Sequence, residues 1–186
     1  GEGIDENTIV FFLSDNGGPL EKNASDNGVL REGKGSPFEG GIRVPFAARW
    51  PGQIPAGIDY VEPVISLDIL ATIVGEAGVD TRNNKPLDGV NLAPYLRGER
   101  SGAPHDILFW RGYDQKWFAA REANHKLVNK RGGKLLFDLE DDISEANDLS
   151  RSDKETHRDL ERQVEDWNGQ MIDPVFDKLG SWKMNK

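Results

Sequence analysis

Residues 8–13 (TIVFFL) form a continuous run of β-branched, aromatic and aliphatic side chains. A strand with one solvent-exposed face alternates apolar and polar residues. A continuous run instead indicates a strand buried on both faces, as in the parallel sheet of an α/β protein. A Gly-Gly pair then marks a turn a few residues later. The pattern places Asp15 and Asn16 just beyond the carboxyl end of this strand, the edge at which open α/β sheets bind ligands.

Two further segments fit the same α/β part of the chain. Residues 44–50 predict another short strand, which Pro51 closes. Residues 66–78 predict a helix, with Ser66 suited to the N-cap and Gly78 to the end. Its predicted core-facing stripe consists of Leu67, Leu70, Ile73, Val74 and Ala77.

The small and polar residues 98–104 suggest a boundary, so we predict two domains, residues 1–100 and residues 101–186. Four short apolar segments separated by tight polar turns follow it. Their close spacing predicts an antiparallel four-stranded meander over residues 107–111, 117–121, 126–129 and 135–139.

A last helix is predicted from Ser152, where the residues Ser-Asp-Lys-Glu match a capping box. Its apolar residues recur at steps of four, three and four, so we expect the helix to cover one face of the meander. These residues are Leu160, Val164, Trp167 and Met171. The predicted fold class is therefore α/β (α+β overall), with a sheet domain followed by an antiparallel sheet and a packed helix.

The net charge of −9 argues against nucleic acid and anionic membranes as partners. No apolar run approaches the ~20 residues of a membrane-spanning helix. The chain has no cysteine, so disulfides cannot indicate its compartment. An acidic protein that handles an anionic substrate must concentrate positive charge locally, through a metal ion or a few basic side chains.

Asp15 and Asn16 offer hard oxygen ligands, which suit Ca²⁺ or Mg²⁺. The same residues also begin a favoured turn sequence, Asp-Asn-Gly, so a purely structural interpretation stays open. Asp26-Asn27-Gly28 repeats the tripeptide without a preceding strand and is interpreted as a turn.

Lys34 lies between two glycines, which would let its ammonium group approach an anion without obstruction. Gly35 breaks the Walker pattern, which requires Ser or Thr after the lysine. From the residues alone, a surface lysine in a flexible loop is the simpler interpretation.

Several short motifs follow one another over about residues 5–150. They are LSDNG (13–17), GKGSPFEGGIRVP (33–45), WPG (50–52), SLDIL with Thr72 (66–72), DGVNL (88–92), LRG (96–98), LFDLEDD (136–142) and EANDL (145–149). Each motif is short, but the ordered set resembles the motifs of the sulfatase family.

The resemblance implies an alkaline-phosphatase-like fold and specific residue roles. Asp15 and Asn16 would ligate a divalent cation, Ca²⁺ rather than Mg²⁺. Lys34 would contact the sulfate and its bridging oxygen, as both a substrate-binding and a catalytic residue. Glu39 and Arg43 would hold the loop together. The family also suggests a periplasmic or secreted location.

The formylglycine nucleophile of the family arises from Cys or Ser in a C/S-x-P-S-R context, which this sequence lacks. His105, His125 and His157 lie in the wrong segments to replace the family's upstream residues. Ca²⁺ takes about six to eight oxygens, of which Asp15 and Asn16 supply two or three at most. We therefore expect weak cation binding and no hydrolysis by this chain alone.

The resemblance thus implies the C-terminal portion of a sulfatase acting on a small-molecule or carbohydrate sulfate ester, with residues 1–100 forming the C-terminal part of its catalytic α/β domain. Aryl, carbohydrate and steroid sulfates all stay open. A phosphodiesterase or phosphonate hydrolase of the same superfamily is one alternative, and a non-catalytic binding module is another. Apolar sheet surface left without neighbours also predicts self-association of the chain.

Overall fold

The computed structural model describes residues 2–21, 25–80, 86–112 and 116–172. The chain forms two compact units, Gly1–Ser14 with Pro45–Asp106, and Asp15–Val44 with Ile107–Lys186. The predicted division at residue 100 stays a prediction, because compact units within one chain need not coincide with the domains of a longer protein. In those described ranges, no helix is both long and apolar enough to cross a membrane.

The predicted strands and helices occur in the predicted order, together with two four-residue helices that were not predicted. The helices and strands are β1 (Val10–Leu13), α1 (Glu39–Ile42), β2 (Phe46–Arg49), α2 (Leu67–Glu76), α3 (Ala93–Leu96), β3 (Ile107–Arg111), β4 (Trp117–Glu122), β5 (His125–Lys130), β6 (Gly133–Asp138) and α4 (Lys154–Gly169).

In the first unit, β1 pairs with β2 and Leu13 lies opposite Phe46. The strand is confirmed, but this neighbour runs antiparallel, contrary to the parallel neighbour we expected. The expected burial on both faces is also not found, since Val10 and Phe12 are exposed. An apolar run does not by itself specify which strand pairs with it or which elements cover it. Phe11 packs on Phe46 with ring centroids 6.1 Å apart. Phe12 points to the opposite face and is 68% exposed.

The predicted core face of α2 is wrong. Leu67, Leu70 and Ile73 are each about half exposed, whereas Asp68 and Thr72 are fully buried. Backbone hydrogen bonds explain the burial of polar residues: Asp68 accepts from the amides of residues 65 and 90, and Thr72 accepts from that of residue 92. Buried polar groups are stable only when paired in this way. Ser66 makes no side-chain cap.

In the second unit, the four-stranded sheet has the order β3-β4-β5-β6 with every neighbouring pair antiparallel, which confirms the meander. Helix α4 packs against β4 and β5. Its N-cap is Asp153, whose carboxylate accepts from the Thr156 amide at 3.1 Å, one residue later than the predicted Ser152. Leu160 and Val164 are buried as predicted.

The end of the predicted stripe behaves differently from its centre. Trp167 stacks on Phe109, with ring centroids 5.0 Å apart and an interplanar angle of 8°. Met171 lies beyond the end of α4 and is exposed.

The sheet has a core on each face. The core on the α4 side contains Ala120, Leu127, Leu136, Leu160 and Val164. The opposite core contains Phe38, Ala119, Val128, Phe137 and Leu139. Successive strand residues alternate between these faces, as pleating requires. Phe38 immediately precedes α1, so the segment that includes Lys34 is anchored on the sheet face opposite α4.

Candidate functional site

Asp15 and Asn16 follow β1 after a single intervening residue, as the sequence predicts. Asp15 is exposed and Asn16 is half-buried. The side-chain nitrogen of Asn16 donates to the carbonyl of Gly17 at 2.9 Å. This bond sets the rotation of the amide, so its oxygen points away from Gly17.

The Asp-Asn segment lies directly against α1. The amide of Gly17 donates to the carbonyl of Gly41 at 3.0 Å. A Cβ atom at position 17 would lie 1.7 Å from the carbonyl oxygen of Gly40. Only glycine can occupy position 17 in this arrangement, because any side chain would force the two segments apart.

The loop that contains Lys34 meets the same segment. The amide of Lys34 donates to the carbonyl of Gly18 at 3.3 Å. Gly33 is also closely approached, since a Cβ there would lie 2.2 Å from that same carbonyl oxygen. The structure therefore places the three predicted site residues in adjacent segments, because the Lys34 amide bonds to Gly18, two residues beyond Asn16.

The side chain of Lys34 is exposed. The residue lies between Gly33, which is buried, and Gly35, which is exposed and has a φ of +82°. Within the described part of the chain, no carboxylate pairs with its ammonium group. The positive charge at this position is thus available to an anion.

Asn27 connects the two segments through its side chain. Its oxygen accepts from the Gly18 amide at 2.9 Å, and its nitrogen donates to the carbonyls of Gly18 at 3.0 Å and Glu32 at 2.9 Å. The predicted turn at Asp26-Asn27-Gly28 is confirmed, because Asp26 accepts from the Gly28 amide at 2.8 Å. Asn27 is therefore a structural clamp as well as a turn residue.

Three buried charged side chains lie under α1. The ammonium group of Lys126 is 2.7 Å from Oε1 of Glu39 and 2.8 Å from Oε1 of Glu145, the second contact being an ion pair outside hydrogen-bonding angles. The other oxygen of Glu145 accepts from the Glu39 amide at 2.7 Å. We call Lys126, Glu39 and Glu145 the buried triad. Burial raises the pKa of Glu145, although the nearby Lys126 charge opposes this.

Two arginines flank the triad. Arg43 lies 3.6 Å and Arg121 lies 4.0 Å from Oε2 of Glu39. The expected role of Glu39 and Arg43 in holding the loop agrees with this geometry. Charge on the triad alone is one cation against two carboxylates, so the arginines bring the local balance closer to neutrality.

A second, more exposed network holds the start of the loop. Glu32 accepts from Lys130 and from the hydroxyl of Ser36. Burial alone would raise the pKa of Glu32, but these hydrogen bonds and the Lys130 charge lower it. Glu32 has a φ of +58°, a strained value for a residue with a side chain, so its partners stabilise an unfavourable backbone. Arg31 stacks over Phe38 with its guanidinium carbon 4.0 Å from the ring centroid.

The three histidines take part in other contacts. His105 lies 2.9 Å from the carboxylate of buried Asp68 in the first unit. His157 contacts the carbonyl of Lys134, and His125 begins β5. Over the described residues, no group of three or more His, Cys, Asp or Glu side chains could hold a metal ion. The oxygen donors of Asp15 and Asn16 fit a hard cation chemically, as part of a larger ligand set.

Comparisons with known proteins decide the family. The model of the sulfatase family matches residues 1–79. Steryl-sulfatase of Mus musculus is 31% identical over 196 residues, covering 85% of this chain and 31% of that protein. Arylsulfatase A of Bos taurus is 40% identical over 124 residues, covering 64% of this chain and 24% of that protein. The chain belongs to the sulfatase family.

Solved structures confirm the fold class of this sulfatase chain. The crystal structure of Ps i-CgsB matches with a TM-score of 0.84 at 35% identity, covering 92% of this chain and 39% of that one. The phosphonate monoester hydrolase of Agrobacterium radiobacter shares the fold with a TM-score of 0.68 at 24% identity, covering 91% and 36%. This sulfatase chain thus spans less than half the length of the relatives and structures it matches.

Sequence reasoning missed three residues of the site's framework: Asn27, Lys126 and Glu145. One signal was present for Lys126. Strand alternation places it on the same face as Val128, which makes it a lysine at an inward-facing position. Such a lysine requires a buried carboxylate partner, but its identity depends on contacts between distant parts of the chain.

Proposed function

We propose that this chain supplies part of the cation- and sulfate-binding site of an enzyme that hydrolyses sulfate esters. The observation that carries the proposal is that Asp15, Asn16 and Lys34 lie in adjacent segments of the fold. Two backbone hydrogen bonds, from Gly17 to Gly41 and from Lys34 to Gly18, hold the oxygen donors and the ammonium group in adjacent segments. Oxygen ligands for a cation beside an available ammonium group suit a dianionic or monoanionic ester.

In this proposal Asp15 and Asn16 are ligands of a divalent cation, Ca²⁺ in preference to Mg²⁺. Both side chains offer oxygens, which such hard cations favour. When bound, the cation would offset the negative charge of the sulfate oxygens. Two residues supply fewer oxygens than the roughly six to eight that Ca²⁺ takes. The proposal assigns the remaining ligands to the rest of the protein and to water.

Lys34 would bind the sulfate group and stabilise the alkoxide that leaves when the S–O bond breaks. Its ammonium group can donate a hydrogen bond to the bridging oxygen as negative charge develops there. The nucleophile, a formylglycine in the proposal, is not supplied by this sequence, so the chain alone is expected to hydrolyse nothing.

A complementation assay tests the proposal. This chain is combined with a separately produced polypeptide that supplies the rest of a sulfatase fold and its modified nucleophile, and turnover of an aryl sulfate is measured. We expect no turnover with either part alone and turnover with both. Lys34→Ala should lower turnover by about 10²- to 10³-fold, whereas Lys154→Ala, an exposed lysine on α4, should leave it unchanged. Inactivity despite a formed complex would contradict the proposal.

Calcium titration by calorimetry examines the cation site separately. We expect weak binding to this chain alone and weaker binding still for Asp15→Ala. Tight, stoichiometric binding by this chain would show a self-contained site and contradict the partial ligand set.

The substrate class is proposed as a carbohydrate or small-molecule sulfate ester. A structure of Ps i-CgsB, 34% identical to this chain, holds k-i-k-neocarrahexaose, whereas the mammalian relatives are named as steryl- and arylsulfatases. A second candidate is phosphonate or phosphodiester hydrolysis, which the fold shared with a phosphonate monoester hydrolase supports. Comparing an aryl sulfate with a phosphonate monoester of the same phenol in the complementation assay separates the two, because both release that phenol on hydrolysis. Turnover of neither by an intact complex would favour a non-catalytic binding module.

A further inference from the structure

The buried triad lies where the sheet of the second unit meets the loop that contains Lys34. Lys126 is on β5, Glu39 is the first residue of α1, and Glu145 follows β6. All three side chains are at most 3% exposed. Charged groups withdrawn this far from water are stable only when they are paired with good geometry.

Helix α1 connects the triad to the proposed site. Glu145 accepts from the amide of Glu39, which fixes the first residue of α1. At the other side of this one-turn helix, the carbonyl of Gly41 accepts from the amide of Gly17, next to Asn16. A shift of α1 away from the sheet would therefore move the residue adjacent to the Asp-Asn pair.

The same helix also constrains the Lys34 side of the site. The amide of Gly40 donates to the carbonyl of Arg31 at 2.9 Å. A Cβ at Gly41 would lie 2.2 Å from the carbonyl oxygen of Ser36. These contacts leave no free space between α1 and the loop, so the loop cannot keep its place if α1 moves.

We propose that the buried triad is a positioning device that holds the Lys34 loop against the Asp15–Asn16 segment through the charge balance beneath α1. Lys126, Glu39 and Glu145 are positioning residues in this proposal, since none of them touches the site itself. This inference rests on the proposed function, in which Asp15, Asn16 and Lys34 must lie close together to bind one sulfate group.

The charge balance makes the device specific. Removing the Lys126 ammonium leaves two adjacent buried carboxylates. Arg43 and Arg121 face Glu39 at 3.6 and 4.0 Å, whereas Arg31 donates to the backbone carbonyl of Glu145 and stacks over Phe38. In the absence of the Lys126 ammonium, the negative charge of Glu145 is thus less well neutralised than that of Glu39.

Amide hydrogen exchange on this chain tests the proposal without substrate or cation. The variant Lys126→Met retains most of the side-chain volume but removes the charge. We expect the protection factors of the Gly17 and Lys34 amides to fall by roughly tenfold or more at about pH 8, while amides of β6 keep theirs. Protection should return at about pH 5, where buried carboxyls take up protons.

Two further variants distinguish charge from packing. Lys126→Met combined with Glu145→Gln removes the uncompensated carboxylate, so protection at Gly17 and Lys34 should recover at about pH 8 as well. Lys134→Met is the matched control, because it removes a lysine of the same sheet, on β6, that pairs with Glu161 of α4 at 2.7 Å. It should leave both amides protected.

Loss of protection that is the same at both pH values would overturn the proposal, and so would equal loss in the Lys134→Met control. If Lys126→Met unfolds entirely at about pH 8, the double variant decides. A folded double variant with protected Gly17 and Lys34 supports the proposal, and a double variant without that protection contradicts it. Because no turnover is measured, this result is independent of the complementation assay.

Discussion

The amide of Gly17 donates to the carbonyl of Gly41 at 3.0 Å, and this contact joins the Asp-Asn segment to α1. The approach is so close that a Cβ at position 17 would nearly coincide with a neighbouring carbonyl oxygen. The geometry of the proposed site therefore depends on the absence of a side chain at position 17.

Gly17→Ala should disrupt this approach. The added methyl group forces the segment away from α1, which we expect to lower the free energy of unfolding by about 1–3 kcal/mol. Urea denaturation of the variant measures this change. Gly169→Ala is the control, because a Cβ there meets nothing within 4 Å and should be neutral or slightly stabilising. Equal stabilities for the two variants would contradict the steric argument.

Asn27→Asp should destabilise the loop despite its similar shape. The carboxylate could still accept from the Gly18 amide, but it cannot donate to the carbonyls of Gly18 and Glu32. Oxygens would face oxygens, at an expected cost of about 1–3 kcal/mol. Thermal unfolding checks this expectation, with Asn7→Asp as a comparison at an exposed position. A variant as stable as the wild type would show that the clamp contributes nothing.

Stability should respond to pH in opposite directions at two glutamates. The pKa of Glu145 is raised by burial. At pH values between the ordinary and the raised pKa, the folded state therefore binds more protons at Glu145 than the unfolded state does. Its contribution is complete below the ordinary glutamate pKa of about 4.3 and is lost as pH rises through the raised value. Glu145→Gln should flatten the decline in melting temperature over that range, and an unchanged pH profile would argue against a raised pKa.

The pKa of Glu76 is shifted in the opposite direction, below its ordinary value. Burial alone would raise its pKa, but the hydrogen bonds from Arg97 and Asn91 and the charge of Arg97 lower it. Its contribution is present above about pH 4.3 and is lost as pH falls through the lowered value. Glu76→Gln should therefore reduce the loss of stability in acid, as measured by urea denaturation between about pH 5 and pH 3. A steeper acid loss in the variant would contradict this sign.

The exposed face of β1 should cause self-association. Phe12 is 68% and Val10 is 47% exposed on the same face of the strand, and apolar strand surface of this kind favours association. Sedimentation velocity should show concentration-dependent association that Phe12→Glu reduces. Val29→Glu changes an exposed apolar residue that lies in a turn and not in a strand, and it should have no such effect. A chain that stays monomeric at all concentrations would contradict the prediction.

The sequence alone predicted the elements whose signals are local. The meander follows from short apolar segments between tight turns, and Leu160 and Val164 follow from helical spacing. The predicted face of α2 was wrong because hydrogen bonds from distant backbone amides bury Asp68 and Thr72, and spacing carries no information about such partners. The apolar stripe of α2 is left exposed within this chain.

The sequence by itself determined that Asp15 and Asn16 follow a strand and that Lys34 lies between glycines, together with the family to which these motifs belong. Only the tertiary structure decided that these residues lie in adjacent segments, and that Asn27 and the buried triad support them. The physical reason is the range of the interactions. A strand or turn depends on neighbouring residues, whereas Glu39 and Lys126 are 87 positions apart and meet only because the fold brings them together with Glu145.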